Sequence, residues 1–406
     1  PLRRTEVSVW HEEVVSIAFP YAGIGGLEVP KASLLGVYSP REAGAGPPVA
    51  SLTERALSSP IASPPLQQLT GRGHKVLILC DDYTRPTPVA EMLPPVLAEV
   101  HGAGVSQKDV SILVASGTHR RMTRKELARK LGRAILSEYR VLQHDWRDDE
   151  SLVPLGETSG GLPVVVNRHL LEADLVIGLG HVVPHRITGY SGGAKIVGPG
   201  VAGAAQSPTE MHWLAAQAPG RELLGVIDNP VRQQVEEMGR RAGLRFVVNA
   251  VQGRDGRAAA VFAGDPVLVQ RQGAVAARAI YGVHLPHLAD VVVVDSQPGD
   301  SDFWEASKAA FTAELAVRQG GVVILVTPCP EGVARHHPAL LRHGVRPVGV
   351  MKQLVASLAI DDIVAAAILT MVAWVVKERA RGIMVSPGIP PDDQRRLGFT
   401  PARTLQ

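Results

Sequence analysis

The sequence predicts an α/β protein of two domains, with mainly parallel sheets and an active-site cleft between the domains. Short, continuously apolar runs end in turn residues, as do strands that are buried on both faces of a parallel sheet. Helical patterns lie between these runs, and alternation of strands and helices is typical of α/β folds. The chain has 406 residues, which at about 100–200 residues per domain predicts two domains.

Six apolar runs predict the strands. The first run stops at Asp81 and Asp82, and the second stops at Ser116 and Gly117, which are residues that favour turns. Open α/β sheets bind ligands beyond the carboxyl ends of their strands, so polar residues at these ends are candidates for a site. The six runs cover residues 75–80, 109–115, 173–178, 245–249, 290–295 and 321–327.

Capping residues and apolar periodicity predict the helices. Thr123 and Glu126 have the spacing of a capping box, which predicts a helix that continues through about Leu131. The apolar run Ile363–Val376 is shorter than the ~20 residues that span a bilayer, so it predicts a buried helix and no membrane segment. Further helices are predicted over residues 210–217, 230–242, 265–279 and 305–318.

The break between the domains is predicted near residues 275–287, ahead of the strand at Val291. Residues 36–70 are rich in Pro, Ser, Gly and Ala, which predicts an irregular segment. The predicted units are an N-terminal cofactor-binding α/β domain (1–280), a C-terminal α/β domain (281–395) and a tail (396–406).

Composition excludes several classes of protein. Lys and Arg total 42 against 39 Asp and Glu, so the formal charge is only +3, which does not favour a nucleic-acid-binding protein. Two cysteines, Cys80 and Cys329, can form neither a disulfide framework nor a Cys₄ zinc site. The first twenty residues contain no signal-peptide core, so we expect a cytoplasmic protein.

Four loops after predicted strands concentrate polar side chains. Together they carry histidines, an arginine and lysines, a combination that favours a catalytic cleft over four ordinary turns. The loops span residues 81–86, 117–120, 180–195 and 300–308.

The glycine-rich segment 189–195 suggests a Walker A loop but does not satisfy that motif. Ala194 precedes the lysine and Ile196 follows it, whereas the motif requires glycine and Ser/Thr at these places. Its glycines still let backbone N–H groups approach an anion. Lys195 can then contact a phosphate or act as a nucleophile; the alternative is a flexible turn with a solvated lysine.

His181 and His185 are four residues apart, a spacing that would form a zinc pair on a helix. Pro184 between them argues against a helix, and the pair encloses no glutamate. Arg85 is suited to bidentate capture of a carboxylate, or it pairs with Asp82 to fix the turn.

Taken together, these loops resemble the nickel-pincer lactate racemases and the related 2-hydroxyacid racemases and epimerases. The most specific match is PHRITGYSGGAK at 184–195, followed by GPG at 198–200. DYTRP at 82–86 and GTHR at 117–120 agree in order and spacing. The resemblance runs from Asp81 to about Lys308.

The resemblance implies a nickel ion held by a pyridinium-3-thioamide-5-thiocarboxylic acid mononucleotide. His212 would ligate the nickel, and Lys195 would hold the mononucleotide with or without a covalent bond. Cofactor-maturation enzymes are implied as partners. The remaining implied cofactor contacts are Asp82, Thr84, Thr118, Arg120, Ser191, Gly192 and Gly193.

The resemblance also implies the catalytic and substrate-binding residues. His119 and His185 would be the acid/base pair, which suits a racemase because histidine titrates near neutral pH and the two faces of one carbon must be served. Arg85, Lys308 and Glu305 would lie at the substrate.

Two departures from the family pattern bear on the substrate. Trp304 and Glu305 stand where the family has a Tyr-Gln pair, and a carboxylate there would repel a substrate carboxylate unless it is protonated or turned away. Asp361, Asp362 and Ile363 align with an Asp-Gln-Trp stretch, so one wall of the pocket is changed. We expect a 2-hydroxy acid, with lactate the first to test.

The predicted function is that of an isomerase, a 2-hydroxyacid racemase or epimerase that uses hydride transfer to the nickel-pincer cofactor. Two rivals remain open at this point. One is a zinc-dependent hydrolase using His181, His185 and a carboxylate such as Asp82. The other is a catalytically inactive protein that binds a nucleotide or an organic acid.

Overall fold

The computed structural model describes residues 13–203, 207–334 and 337–405, and only the backbone of 207–209. The strands of these residues are β1 (Val14–Ile17), β2 (Leu27–Pro30), β3 (Val76–Asp81), β4 (Val110–Ala115), β5 (Arg140–Gln143), β6 (Leu152–Glu157), β7 (Pro163–Asn167), β8 (Leu175–His181), β9 (Pro184–His185), β10 (Gly189–Tyr190), β11 (Leu244–Gln252), β12 (Ala258–Gly264), β13 (Ala289–Asp295), β14 (Val317–Val326), β15 (Ala380–Val385) and β16 (Phe399–Ala402).

The α-helices of the same residues are α1 (Val49–Ser58), α2 (Leu66–Leu69), α3 (Val89–Gly102), α4 (Arg124–Leu131), α5 (Arg133–Glu138), α6 (Ser207–Ala216), α7 (Pro230–Arg241), α8 (Pro266–Tyr281), α9 (Phe303–Glu314), α10 (Ala339–His343), α11 (Val348–Ala356), α12 (Ile363–Ala373) and α13 (Pro391–Arg396). A π-helical turn, Trp374–Arg379, extends α12.

Two sheets organise these elements. The first has the order β12-β11-β8-β3-β4-β5 and is parallel except for β12, which pairs antiparallel with β11 at the edge. The second has the order β13-β14-β15-β16 and is parallel throughout. The predicted α/β class with mainly parallel sheets is therefore confirmed.

The hydrophobic core runs from the first sheet to the helices beside the second. One cluster of buried side chains joins Leu79 of β3 and Val247 of β11 with Phe311 of α9. Helix α12 is buried at every position from Val364 to Ala373, as the apolar run predicts. This shared core fixes α9 and α12 against the carboxyl ends of the first sheet.

Residues 36–70 are not irregular throughout, because α1 and α2 lie within them. Leu57 and Leu66 are buried in a cluster on the first sheet, and this burial stabilises both short helices. Pro48 and Pro65 stand directly before the two helices, where proline is tolerated because the first N–H groups of a helix have no intrahelical partner.

Residues 396–406 are not simply a tail. Phe399–Ala402 forms β16, which pairs in parallel with β15, and Phe399 is buried against the ring of Phe303. The helix predicted over 305–318 is instead α9, which begins after Asp302; the Asp302 side chain accepts a hydrogen bond from the Glu305 N–H. Val317 already belongs to β14. The domain break near residue 280 stays a prediction.

No helix in the described ranges combines the length and the apolar character needed to cross a membrane.

Candidate active site

A cavity lies at the carboxyl ends of β3, β4 and β8. Helices α9 and α12 close it from the side of the second sheet, with Lys308, Phe311 and Met371 among the lining residues. The cavity has an empty volume of ≈ 1220 Å³, part of it open to solvent. Its lining combines apolar side chains with a few charged and polar groups, as is usual for sites that bind small molecules.

His119 is oriented by two carboxylates. Its Nδ1 lies 2.8 Å from Asp82 Oδ2, and its Nε2 lies 3.4 Å from Glu305 Oε1. Asp82 is itself fixed by Thr84, whose Oγ1 donates to Asp82 Oδ1 at 2.6 Å. Burial lowers the pKa of His119, but Asp82 and Glu305 outweigh it, so the pKa lies above its ordinary value. This arrangement favours the charged imidazolium.

Glu305 contacts the two predicted substrate-binding cations as well as His119. Lys308 Nζ lies 2.5 Å from both carboxylate oxygens, and Arg85 Nη1 donates to Oε2 at 3.1 Å. Burial raises the pKa of Glu305, but Lys308 and Arg85 outweigh it and hold the pKa well below its usual range. Glu305 is thus ionised and paired rather than opposed to a substrate carboxylate.

His185 lies in a different electrostatic environment. It is in the short hairpin of β9 and β10, and its Nδ1 accepts a hydrogen bond from the Ile187 N–H at 3.2 Å. Burial, followed by the charges of Lys195 and Lys308, holds the pKa of His185 well below its ordinary value. A neutral His185 therefore carries its proton on Nε2, while His119 is held as the cation.

Lys195 and His212 are the candidates for holding a cofactor. Burial, followed by the charges of Arg85 and Lys308, lowers the pKa of Lys195 well below its ordinary value, which favours a neutral, nucleophilic amine. His212 lies in α6, is 5% exposed and lines the same cavity. Imidazole is a suitable ligand for nickel, so this donor set fits the implied nickel-pincer mononucleotide.

The glycine-rich loop lines the cavity and packs tightly against neighbouring segments. A Cβ on Gly192, where φ is +78°, would lie 2.6 Å from Val182, and one on Gly193 would lie 2.6 Å from the Pro266 carbonyl oxygen. The Ser191 hydroxyl already donates to the His181 carbonyl oxygen at 2.8 Å. These positions require glycine for close approach of the loop to its neighbours.

The structure brings most of the predicted residues together in one cavity. Thr84, Glu305 and Arg120 do not line it. Thr84 donates a hydrogen bond to Asp82, Glu305 pairs with Arg85 and Lys308, and Arg120 donates two hydrogen bonds to Glu126. The capping box at Thr123 and Glu126 is also formed, as predicted. The predicted residues that line the cavity are Asp82, Arg85, Thr118, His119, His185, Ser191, Gly192, Gly193, Lys195, His212 and Lys308.

Sequence reasoning missed a second histidine–aspartate pair at the cavity. His181 Nδ1 lies 3.3 Å from Asp81 Oδ2 and 2.8 Å from Thr87 Oγ1, and Lys130 Nζ lies 2.6 Å from Asp81 Oδ1. The sequence could have predicted this pair, because Asp81 and His181 stand at the carboxyl ends of two apolar runs, which form the adjacent strands β3 and β8. Among the described residues, no three His, Cys, Asp or Glu side chains are grouped so that they could hold a metal ion, so His181, His185 and Asp82 do not form the ligand set that the zinc rival requires.

The charge of Glu305 predicts a pH-dependent contribution to stability. The folded-state pKa lies below the ordinary value of about 4.3, so the stabilisation is complete above that pH and is lost as the pH falls through the folded-state value. We expect the difference in unfolding free energy between wild type and Glu305→Gln to be largest above pH ~5 and to narrow on acidification. Denaturant titrations across this range, with the exposed Glu54→Gln as control, check the prediction. Parallel curves for wild type and Glu305→Gln would contradict it.

Comparison with known proteins places this fold and cavity in a class. Residues 23–222 match the lactate racemase N-terminal domain. The chain is 28% identical to the lactate racemase of Lactiplantibacillus plantarum over 282 residues, and 29% identical to that of Thermoanaerobacterium thermosaccharolyticum over 284. Each alignment covers 69% of this chain and 66% of the relative, just under two thirds of the relative's length.

Solved structures agree. The lactate racemase apoprotein from Thermoanaerobacterium thermosaccharolyticum superimposes with a TM-score of 0.81 at 26% identity, covering 97% of this chain and 93% of that one. A protein from Thermotoga maritima shares the fold at 21% identity, with a TM-score of 0.72 over 90% of this chain and 93% of that one.

The fold is that of an α/β protein whose cavity lies at the carboxyl ends of a parallel sheet. The comparisons show that the chain is similar to lactate racemases in sequence and in fold, and that residues 23–222 match the N-terminal domain of those proteins.

Proposed function

We propose that this protein is a 2-hydroxyacid racemase or epimerase, with lactate the first substrate to test. The observation that carries the proposal is the convergence of two histidines, His119 and His185, with two cations, Arg85 and Lys308, in one cavity of a chain similar to the lactate racemases. The cations suit a carboxylate, and the histidines suit a proton on the adjacent hydroxyl.

The substrate carboxylate would bind Arg85 and Lys308. Arg85 Nη1 donates hydrogen bonds to Thr84 and Glu305. The Nε and Nη2 atoms of Arg85 have no hydrogen-bond partner among the described residues. That edge of the guanidinium can bind a carboxylate with two hydrogen bonds. Glu305 then acts by positioning both cations.

His119 and His185 would hold and move the hydroxyl proton. Carboxylates favour the cationic form of His119, whereas burial, followed by the surrounding cations, favours the neutral form of His185. Racemisation needs one group that gives a proton and one that takes it, and the roles exchange between the two enantiomers. The opposite charge states of the two rings fit this requirement.

Lys195 and His212 would hold the nickel-pincer mononucleotide. Lys195 offers a neutral amine for a covalent thioamide or for a contact without a bond, and His212 offers an imidazole ligand for nickel. The chemistry that such a cofactor supplies is reversible hydride transfer at the substrate carbon. Its assembly implies maturation enzymes as partners.

Chiral analysis tests the proposal. The protein, co-produced with the cofactor-maturation enzymes, is expected to convert either enantiomer of lactate, or of a 2-hydroxy acid with a larger side chain, to the same equilibrium mixture. Larger acids belong in the panel because Trp304 forms part of the wall. Loaded protein that changes no 2-hydroxy acid would favour the inactive binding protein instead.

A further inference from the structure

Asp81 and Asp82 follow one another at the end of β3, and each contacts a different histidine of the cavity. Asp82 contacts His119, which the proposed mechanism uses. Asp81 contacts His181, which that mechanism does not use. His181 is 6% exposed and lines the cavity, and its neighbours show which ring nitrogen carries the proton.

The hydrogen bonds around Asp81 fix the tautomer of His181. Asp81 is paired with Lys130, and its pKa is held low by Lys130 and His181 against the effect of burial, so its carboxylate only accepts hydrogen bonds. The single hydroxyl hydrogen of Thr87 must go to Asp81 Oδ2, since those two oxygens are in close contact. His181 Nδ1, 2.8 Å from Thr87 Oγ1, must then be the donor.

The other ring nitrogen, Nε2, is consequently an acceptor. Burial, the largest influence, lowers the pKa of His181, so the ring is neutral and Nε2 holds a lone pair. Nε2 has no hydrogen-bond partner among the described residues, yet it is not sealed from the cavity. His185 is the opposite case, because its Nδ1 accepts from Ile187 and its Nε2 carries hydrogen.

We propose that His181 Nε2 accepts a hydrogen bond from a hydroxyl group of the molecule bound in the cavity. A carboxylate offers no hydrogen to such a nitrogen, whereas a hydroxyl does. Two hydroxyls can be the donor: the hydroxyl of the 2-hydroxy acid, or a ribose hydroxyl of the mononucleotide. The identity of these two molecules rests on the proposed function.

Three variants test the assignment in protein co-produced with the maturation enzymes. His181→Phe removes the acceptor, His181→Gln keeps an acceptor oxygen at the end of the side chain, and His169→Phe is the matched control outside the cavity. Three quantities are measured for each: kcat/KM with lactate, mononucleotide per chain by native mass spectrometry, and the Kd of lactate by calorimetry.

The two sources of the hydroxyl give different results. If the substrate supplies it, His181→Phe lowers kcat/KM at least about tenfold and weakens lactate binding at unchanged mononucleotide content. If the ribose supplies it, mononucleotide content falls. In either case His181→Gln recovers most of the loss, and His169→Phe matches wild type.

The assignment is overturned if His181→Phe changes none of the three quantities, or if His181→Gln loses as much as His181→Phe. Failure of the proposed function looks different, because the wild type itself would then racemise no hydroxy acid. Mononucleotide content and the Kd of lactate would still decide the role of His181 in that case.

Discussion

Replacing His185 with alanine is expected to lower the rate of racemisation by about 10²–10⁴-fold, the usual contribution of a general acid or base. The cofactor content should be unchanged, because the proposed cofactor-holding residues, Lys195 and His212, are intact. His119→Ala is expected to act likewise in both directions. Chiral analysis from each enantiomer, with nickel measured on the same samples, checks this.

The matched control for these variants is His169→Ala. His169 pairs with Glu172 outside the cavity, so its loss should leave racemisation at the wild-type rate. A rate near wild type for His119→Ala or His185→Ala, in both directions, would remove that residue from the acid/base pair.

Arg85→Ala is expected to lower kcat/KM by at least about 100-fold, chiefly through KM, because the substrate carboxylate loses a two-point contact. It should also destabilise the fold, by less than the about 3–5 kcal/mol lost when a buried charge is left unpaired, because Glu305 keeps Lys308 as a partner. The side chain of Glu305 is buried at 6% exposure, whereas that of Arg85 is partly buried at 17% exposure. Steady-state kinetics and denaturant unfolding measure the two effects.

A second substitution separates binding from folding. In Arg85→Ala with Glu305→Gln, neither charge of the pair remains, so the loss of stability should be smaller than the sum of the losses in the two single variants. KM should stay high, because the carboxylate contact is still absent. A wild-type KM in Arg85→Ala would show that the substrate does not bind this arginine.

Much of the site follows from where the polar residues stand in the sequence. Asp82 and His119 follow two apolar runs that pair as neighbouring parallel strands, so their side chains meet at one edge of the sheet. The loop containing His185 and Lys195 follows the third of these strands. For this reason the sequence alone could predict a cavity containing these four residues.

Contacts made by side chains across the two sheets could not be predicted in this way. The prediction for Glu305 considered only a substrate carboxylate, whereas the folded chain brings Arg85 and Lys308 to the same oxygens. The sequence separation of 220 residues between Arg85 and Glu305 leaves no local pattern to read. The pairing of Arg120 with Glu126 was also missed, because it depends on how the chain turns before α4.

Local composition misled the prediction of secondary structure in residues 36–70 and in residues 396–406. The prolines of residues 36–70 suggested an irregular segment, yet two of them stand directly before short helices. The strand at Phe399–Ala402 has only four residues and gains its stability from pairing with β15 and from burial of Phe399. Tertiary contacts of this kind override short-range sequence signals.

The most direct test of the account is the metal content of the protein co-produced with the cofactor-maturation enzymes. Wild type, His212→Ala and His169→Ala are compared by mass spectrometry. We predict nickel close to stoichiometric with the chain in wild type and His169→Ala, and its loss in His212→Ala. Zinc or no metal in wild type, or full nickel in His212→Ala, would contradict the proposed cofactor site.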